Sequence, residues 1–445
     1  MSLYICLLSF TLCYIVGRRS LVGGLIAVLG VGYVYGIMRA NLQDTLSYFI
    51  FDLGVLGFYA ANWLRPITLA QKLRLQPIQL WMEVLMFWAI VVFFLPFQDL
   101  MIRLVGLRTS IFLLPFLLIG ARLTPEERYK LALGLAVLNL AALALAGGEF
   151  FLGIERFFPR GQMTKIIYLS KDVVSNSAYR IPASFSNAHG YGGAMFISIP
   201  FLAGALLQKH KKQWQGQLLI LGLTSALLGV LLSATRLNFV GVAILVLILT
   251  FSIKSRISYA FGWLVILAAV GMVAMGEARL QRVVELQNTE MVKERIVGSV
   301  NMNFFELAAQ YPFGNGLGGG GSNIPYFLQE RIENPIGMEN EYARVMLEQG
   351  IFGLCLWIAF IGWILTRPRG NKFDSWHQGA RLAWYACAIN FAFGLIGIGL
   401  FTTVPFTCLL LLNAGWVATQ QYAYAPNEAN RTATISLQST KQVMT

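Results

Sequence analysis

The sequence predicts an all-α fold: a polytopic membrane helical bundle of about 12–13 transmembrane helices with two long periplasmic loops. Three observations predict it. Of 445 residues, 57% are hydrophobic and 12% charged, where soluble domains run nearer ~45–50% apolar and about 25% charged. Mean hydropathy is +0.63, and apolar runs close to the ~20 residues needed to cross a bilayer recur along the chain. Alternate loops between those runs carry the basic residues. An ordinary soluble protein, a disordered chain and a disulfide scaffold are excluded. So is an outer-membrane barrel, whose strands alternate apolar and polar residues.

The runs fall near 2–17, 20–38, 46–63, 80–97, 107–121, 131–147, 189–208, 216–234, 237–253, 257–275, 342–365, 379–400 and 402–420. One set of loops holds Arg18, Arg19; Arg65, Lys72, Arg74; Arg122, Arg128, Lys130; Lys209, Lys211, Lys212; Lys254, Arg256; and Arg367, Arg369, Lys372. Against these stand Glu126, Glu127 and Asp374. Lys and Arg are retained on the cytoplasmic side, so this set is assigned there, with the N-terminus periplasmic and the C-terminus cytoplasmic. The same rule accounts for the net charge of +13 without a nucleic-acid partner. The first run lacks a basic segment before it, and Arg18–Arg19 follow it, as expected of a retained helix rather than a cleaved signal. Cys6, Cys13, Cys355, Cys387 and Cys408 lie in apolar runs without close pairing, so neither a disulfide nor a metal is indicated.

The chain therefore divides into N-terminal helices (1–147), a first long periplasmic loop (148–188), central helices (189–275), a large periplasmic loop (276–341), C-terminal helices (342–420) and a polar cytoplasmic tail (421–445). Loops this long between short-looped spans usually carry function. The large loop opens with GEARLQRVVELQNTEMVKERIVGSV, whose apolar spacing predicts a helix lying along the membrane surface.

The outer set of loops and span ends collects Arg180, Arg236 and Arg295, with Arg39, Arg279 and Arg282 nearby. Guanidinium groups at a membrane edge are often snorkelling anchors. Cations on the outer side nevertheless run against the topological bias, and Arg grips phosphate oxygens bidentately. Glu339 and Glu341 stand where the large loop enters a span. Such a carboxylate serves either as a general base or as a helix-start charge paired with an Arg. Asn340 lies between them, and Glu348, further in, reads as structural. His189, in SFSNAHGYGG, opens a span on the same side. Asp52 and Glu83 are acids within spans and so candidates by default. Asp52 has an outer-face Arg as its expected partner, and Glu83 is near enough to a cytoplasmic end to reach water.

In GNGLGGGGSN, Gly316-x-Gly318-x-x-Gly321 lacks the strand and βαβ context of a dinucleotide site. It reads as a loop permitting close backbone approach to a ligand or partner. No Walker A, zinc or HExxH pattern occurs, so neither a metal nor a cofactor is called for. Group transfer would draw on an already activated donor.

Three segments carry a resemblance: RIPASFSNAHGYGGAMFISIPFL, LLSATRLNFVGVAILVLIL and KERIVGSVNMNFFELAAQYPFGNGLGGG. In their order and outer placement they resemble the O-antigen ligase and O-antigen polymerase superfamily of bacterial envelope glycosyltransferases, over roughly residues 175–365. The stretch from Glu339-Asn340 through nine residues to Gly350-Ile-Phe-Gly353 is similar to the ligase pattern His-(Asn/Ser/Gln)-x9-Gly-x-x-Gly, with Glu339 in the His position. The resemblance implies metal-independent transfer of glycan from undecaprenyl diphosphate at the periplasmic face of the bacterial inner membrane. Arg180, Arg236 and Arg295 would neutralise the departing diphosphate. Glu339, or His189 in its place, would act as base, with Asn340, Glu341, Asp52 and Arg39 as supporting residues. Polymerases vary more at the Glu339 position. Polymerisation of O-antigen or exopolysaccharide repeat units is therefore preferred, with ligation to lipid A core second. The partners implied are the lipid-linked oligosaccharide, membrane lipids and a chain-length regulator. A lipid-linked glycan flippase and a non-catalytic assembly protein are the alternatives. The chain shows no internal repeat of the transporter kind.

Overall fold

A computed structural model describes residues 1–63, 65–170, 179–208, 212–252, 290, 293, 304–321, 324–336, 338, 340–367 and 375–419. Regular structure among the described residues is all-helical, without a β-strand. The helices are α1 (Ser2–Arg19), α2 (Leu21–Leu42), α3 (Ile50–Asn62), α4 (Leu69–Phe93), α5 (Leu100–Ile111), α6 (Pro115–Arg122), α7 (Pro125–Leu152), α8 (Lys165–Leu169), α9 (Ala188–Leu206), α10 (Gln213–Leu232), α11 (Arg236–Ser252), α12 (Phe304–Gln310), α13 (Glu341–Leu365), α14 (Ser375–Phe393) and α15 (Phe406–Ala418). Among the described residues seven stretches are long and apolar enough to cross a membrane: α1, α2, α4, α5 with α6, α7, α10 and α13.

A helix stands at each apolar run of the sequence except 257–275, which lies outside the described residues together with most of the surface helix expected from 276 onward. Several boundaries differ from expectation. The run at 107–121 is two helices, joined at residues 112–114, because Pro115 opens α6 and supplies no N–H to continue α5. The run at 80–97 begins eleven residues earlier, at Leu69. There Thr68 and Gln71 form a reciprocal capping box, and the polar turn that follows is helical without being apolar. The runs at 46–63 and 402–420 shorten to α3 and α15, 13 residues each. That is about 20 Å of helix, less than the ~30 Å hydrocarbon core.

Contacts sort the helix ends into two groups that match the two loop sets. At the basic end Arg65 donates to the Gly17 carbonyl, and Tyr129 Oη donates to Gln215 Oε1 at 3.3 Å. At the opposite, loop-rich end Asn41 donates to the Phe157 carbonyl at 2.9 Å and Ile37 N–H to the Ser184 carbonyl at 3.0 Å. Between the ends, a buried polar relay ties three helices. Tyr33 on α2 donates to Asn139 on α7 at 2.8 Å, and Asn139 donates to Ser198 on α9 at 2.9 Å. An apolar core cannot distinguish one helix register from another, whereas this relay is satisfied in only one.

Where lipid tails are as apolar as side chains, close helix packing takes over from the hydrophobic effect, and small residues permit it. The α6–α15 crossing shows this on both partners. A Cβ at Gly120 would meet the Leu412 carbonyl oxygen at 2.2 Å, and one at Gly415 the Leu117 carbonyl oxygen at 2.1 Å. Gly415→Val should therefore lower the stability of the detergent-solubilised protein by about 1–3 kcal/mol or more. Gly147→Ala, whose Cβ meets nothing within 4 Å, should not. Thermal unfolding of the two variants side by side checks the difference.

Candidate functional site

The loop-rich end gathers three chain segments around the start of α9. The first is 179–187, which approaches α9 from the long loop. It packs so tightly on α2 that a Cβ at Gly36 would fall 2.0 Å from the Phe185 carbonyl carbon. Glu149 near the end of α7 holds this segment by accepting the Ala183 N–H at 3.0 Å. At its start Arg180 Nη1 lies 2.8 Å from His189 Nε2. Arg donates and cannot accept, so a hydrogen bond here takes Nε2 as acceptor, which requires an imidazole with its proton on Nδ1.

The second segment is the turn between α10 and α11, the Ser-x-x-Arg stretch. Ser233 and Thr235 hydroxyls are 2.9 Å apart, and Asn238 donates to Thr235 Oγ1 at 2.9 Å and to the His189 carbonyl at 3.4 Å. Gly192 on α9 allows this approach, since a Cβ there would sit 2.4 Å from Ser233 Oγ and 2.8 Å from Asn238 Nδ2. Arg236, half-buried, opens α11 two residues before Asn238.

The third segment is the α14–α15 loop. With His189 and Asn238 it encloses a small cavity of about 80 Å³, lined also by Gly397, Gly399 and Thr403. The start of α13 fixes this loop. Glu341 N–H donates to the Gly394 and Gly397 carbonyls at 2.9 and 3.1 Å, and Glu341 Oε2 accepts from Gly399 and Leu400 N–H at 2.7 and 3.2 Å. Glu341 Oε1 accepts from Arg344 at 2.6 Å, and the other arm of Arg344 reaches Glu348 at 2.5 Å. These spacings of three and four residues stack the side chains on one helix face. Glu341 is 0% exposed, Arg344 3% and Glu348 3%. Glu348 packs against the glycine loop, where a Cβ at Gly320 would fall 3.1 Å from Glu348 Oε1.

The glycine-rich loop has a structural role. Gly316, Gly318 and Gly321 all have positive φ. At Gly350 (φ 73°) α13 breaks, which frees the Leu347 carbonyl and the Ile351 N–H that would otherwise bond each other. Asn315 N–H donates to Leu347 O, and Ile351 N–H donates to Pro312 O at 3.0 Å. The segment Pro312–Asn315 thus replaces the missing helical bond. Gln98 donates to the Asn315 and Glu333 carbonyls at 2.9 and 2.8 Å and accepts the Glu333 N–H at 2.9 Å. Within the chain, Gly318 approaches α5, where a Cβ would fall 2.8 Å from the Ile102 carbonyl oxygen.

The expected residues separate accordingly. Arg180 and His189 meet, and Arg236 lies two residues before Asn238, which donates to the His189 carbonyl. Asn340 caps α13, accepting the Ala343 N–H at 2.6 Å. Of the two roles open to Glu341, the geometry gives the helix-start partner of an Arg. Glu348 is structural as expected. Asp52 does find an arginine, Arg108, in a bidentate pair at 2.5 and 2.6 Å. Arg39 stacks over Tyr35 and Tyr48, 5.4 and 4.8 Å from the ring centres. Glu83 accepts from Gln79 at 2.7 Å on the exposed side of α4. Glu339, Arg295, Arg279 and Arg282 lie outside the described residues. Sequence reasoning passed over Asn238, Arg344 and Glu149. The first two sit at short spacings from residues it did single out, which was the available signal.

No family model matches the chain, and no curated protein matches it.

Arg344→Met leaves two buried carboxylates without their cation, so it should cost about 3–5 kcal/mol. The triple variant with Glu341→Gln and Glu348→Gln should recover part of that loss. Unfolding midpoints of the two variants in detergent check the ordering.

Proposed function

We propose that the chain is an integral-membrane glycosyltransferase that takes a glycan from undecaprenyl diphosphate at the loop-rich end and passes it to an acceptor hydroxyl. The preferred reaction is polymerisation of O-antigen or exopolysaccharide repeat units. The observation that carries this reading is the Arg180–His189 contact at 2.8 Å, made where three segments of chain converge beside a cavity. An arginine suited to phosphate and a neutral imidazole suited to accept a proton are the two groups the chemistry requires.

In the proposed step the pyrophosphate of the donor takes Arg180 away from His189, with Arg236 and Arg295 as the other cations. That releases His189 Nε2. The acceptor hydroxyl gives its proton to Nε2 while its oxygen bonds to the anomeric carbon. The bond from that carbon to the diphosphate oxygen breaks, and its electron pair leaves on the diphosphate. Fixed guanidinium groups stabilise this developing charge most where water is scarce. Glu339, one residue before the cap of α13, is the alternative base through its likeness to the ligase His. The segment similarity supports the glycan class, and ligation to lipid A core remains the second reading through the Glu339-Asn340-x9-Gly-x-x-Gly pattern.

Purified protein reconstituted with undecaprenyl-diphosphate-linked repeat units should build a ladder on the polyprenyl lipid. Transfer only to an added lipid A core would mean ligation, and no transfer to either would reject the enzyme. Arg180→Ala and Arg236→Ala should each lower turnover about 10²–10³-fold. His189→Gln should lower it about 10²–10⁴-fold with donor binding retained. Wild-type turnover in His189→Gln together with loss in Glu339→Gln would transfer the base role to Glu339.

A further inference from the structure

The larger cavity lies at the opposite, basic end of the bundle. It measures about 260 Å³, room for several waters or one phosphoester group. Arg74 from α4, Arg122 from the end of α6 and Arg128 from α7 line it, together with Trp416 from α15 and the Thr124–Pro125 start of α7. Arg128 is only 7% exposed. Its guanidinium carbon lies 5.0 Å from the centre of the Trp416 ring, and its Nε has no hydrogen-bond acceptor.

Donors without acceptors recur around this cavity. Arg74 Nε and Trp416 Nε1 are likewise buried without one. Two of the acceptors on the lining side chains are already engaged, and besides these the lining offers the Thr419 hydroxyl and a ring nitrogen of His377. Gln71 Oε1 takes the Thr68 N–H, and Thr124 Oγ1 takes the Glu127 N–H. No carboxylate is among the described lining residues. Glu127, beside the lining at the start of α7, closes the cap by accepting the Thr124 N–H at 2.9 Å. A buried arginine without an acceptor is costly, and here three arginines share the space. The start of a 28-residue helix adds its own partial positive charge.

We infer that this cavity is a binding site for a phosphate group, held by Arg74, Arg122 and Arg128 at the start of α7. The phosphate belongs either to the headgroup of an anionic phospholipid or to a soluble phosphoester. Both present the same oxygens to the same forks of N–H groups. This inference is independent of the transferase reading, since no residue of the Arg180–His189 site takes part.

The test is the thermal midpoint of the full-length protein in detergent, titrated separately with inorganic phosphate and with phosphatidylglycerol, using phosphatidylcholine as the neutral control. Phosphate or phosphatidylglycerol should raise the midpoint by several degrees, and phosphatidylcholine should not. A rise with both means that a free anion suffices, and a rise with phosphatidylglycerol alone assigns the site to lipid. Arg74→Gln with Arg122→Gln should weaken the apparent affinity by about tenfold or more. The unliganded midpoint should stay unchanged, so the test does not depend on Arg128→Gln folding. Arg18→Gln with Arg19→Gln, exposed at the same end, should leave the response intact. The inference is overturned if neither anion raises the midpoint. An equal rise in the Arg74/Arg122 variant, or equal loss in the Arg18/Arg19 variant, overturns it as well.

Discussion

The loop-rich end depends on one buried ion triad. Glu341, Arg344 and Glu348 are withdrawn from solvent on the first turns of α13, with two carboxylates to one guanidinium. Left there, the charges would be expensive. Backbone N–H groups of Gly399 and Leu400 help make up the deficit. Both donors come from the α14–α15 loop, so the triad is satisfied only when that loop is seated. Its electrostatic demand thereby becomes a positional constraint on chain that has no regular structure to hold it. The same loop closes the cavity beside His189.

The break in α13 works with the triad. Gly350 interrupts the helix two residues beyond Glu348, and the bonds lost from the helix are remade to Pro312 and Asn315. Trp88 on α4 takes the Gln349 carbonyl at 3.0 Å in the same region. A helix break inside an apolar bundle must be re-satisfied by protein, since lipid offers no donors. The Pro-Phe-Gly-x-Gly and Gly-x-x-Gly patterns, separated by more than thirty residues in the sequence, are two halves of one repair. Both halves fix where Asn340 enters the loop-rich end.

Hydropathy and charge bias made much of the helical architecture legible, because each apolar run is a local property. The alternation of Lys and Arg between loops anticipated which helix ends lie together. Boundaries were less legible where a helix continues past its apolar stretch, as at Thr68–Gln71, or stops within one, as at Pro115. The Arg180–His189 pair was only partly legible. Both residues were candidates, but their contact depends on how the 179–187 segment folds back over α2, which rests on a small residue at Gly36 and on Glu149. Glu341 was ambiguous for a related reason. A carboxylate at a helix start reads the same whether it faces substrate or an arginine one turn on, and burial alone separates the two.

The basic end shows how a single-cause reading can hide a second one. Arg74, Arg122 and Arg128 satisfy the topological rule, and a count of loop charges asks nothing more of them. The rule requires cations near the membrane edge, however, and leaves them free to stay in water. Arg65 meets it with a backbone carbonyl from α1. Arg128 instead gives up nearly all solvent contact, gains an indole face and is left with a donor unpaired. Cation–π contact is worth about 0.5–2 kcal/mol, less than the several kcal/mol of effective penalty for burying an ion. Orienting the chain needs no such burial. A charge carried into the bundle at net cost, beside two others of the same sign, is accounted for when an anion completes the arrangement.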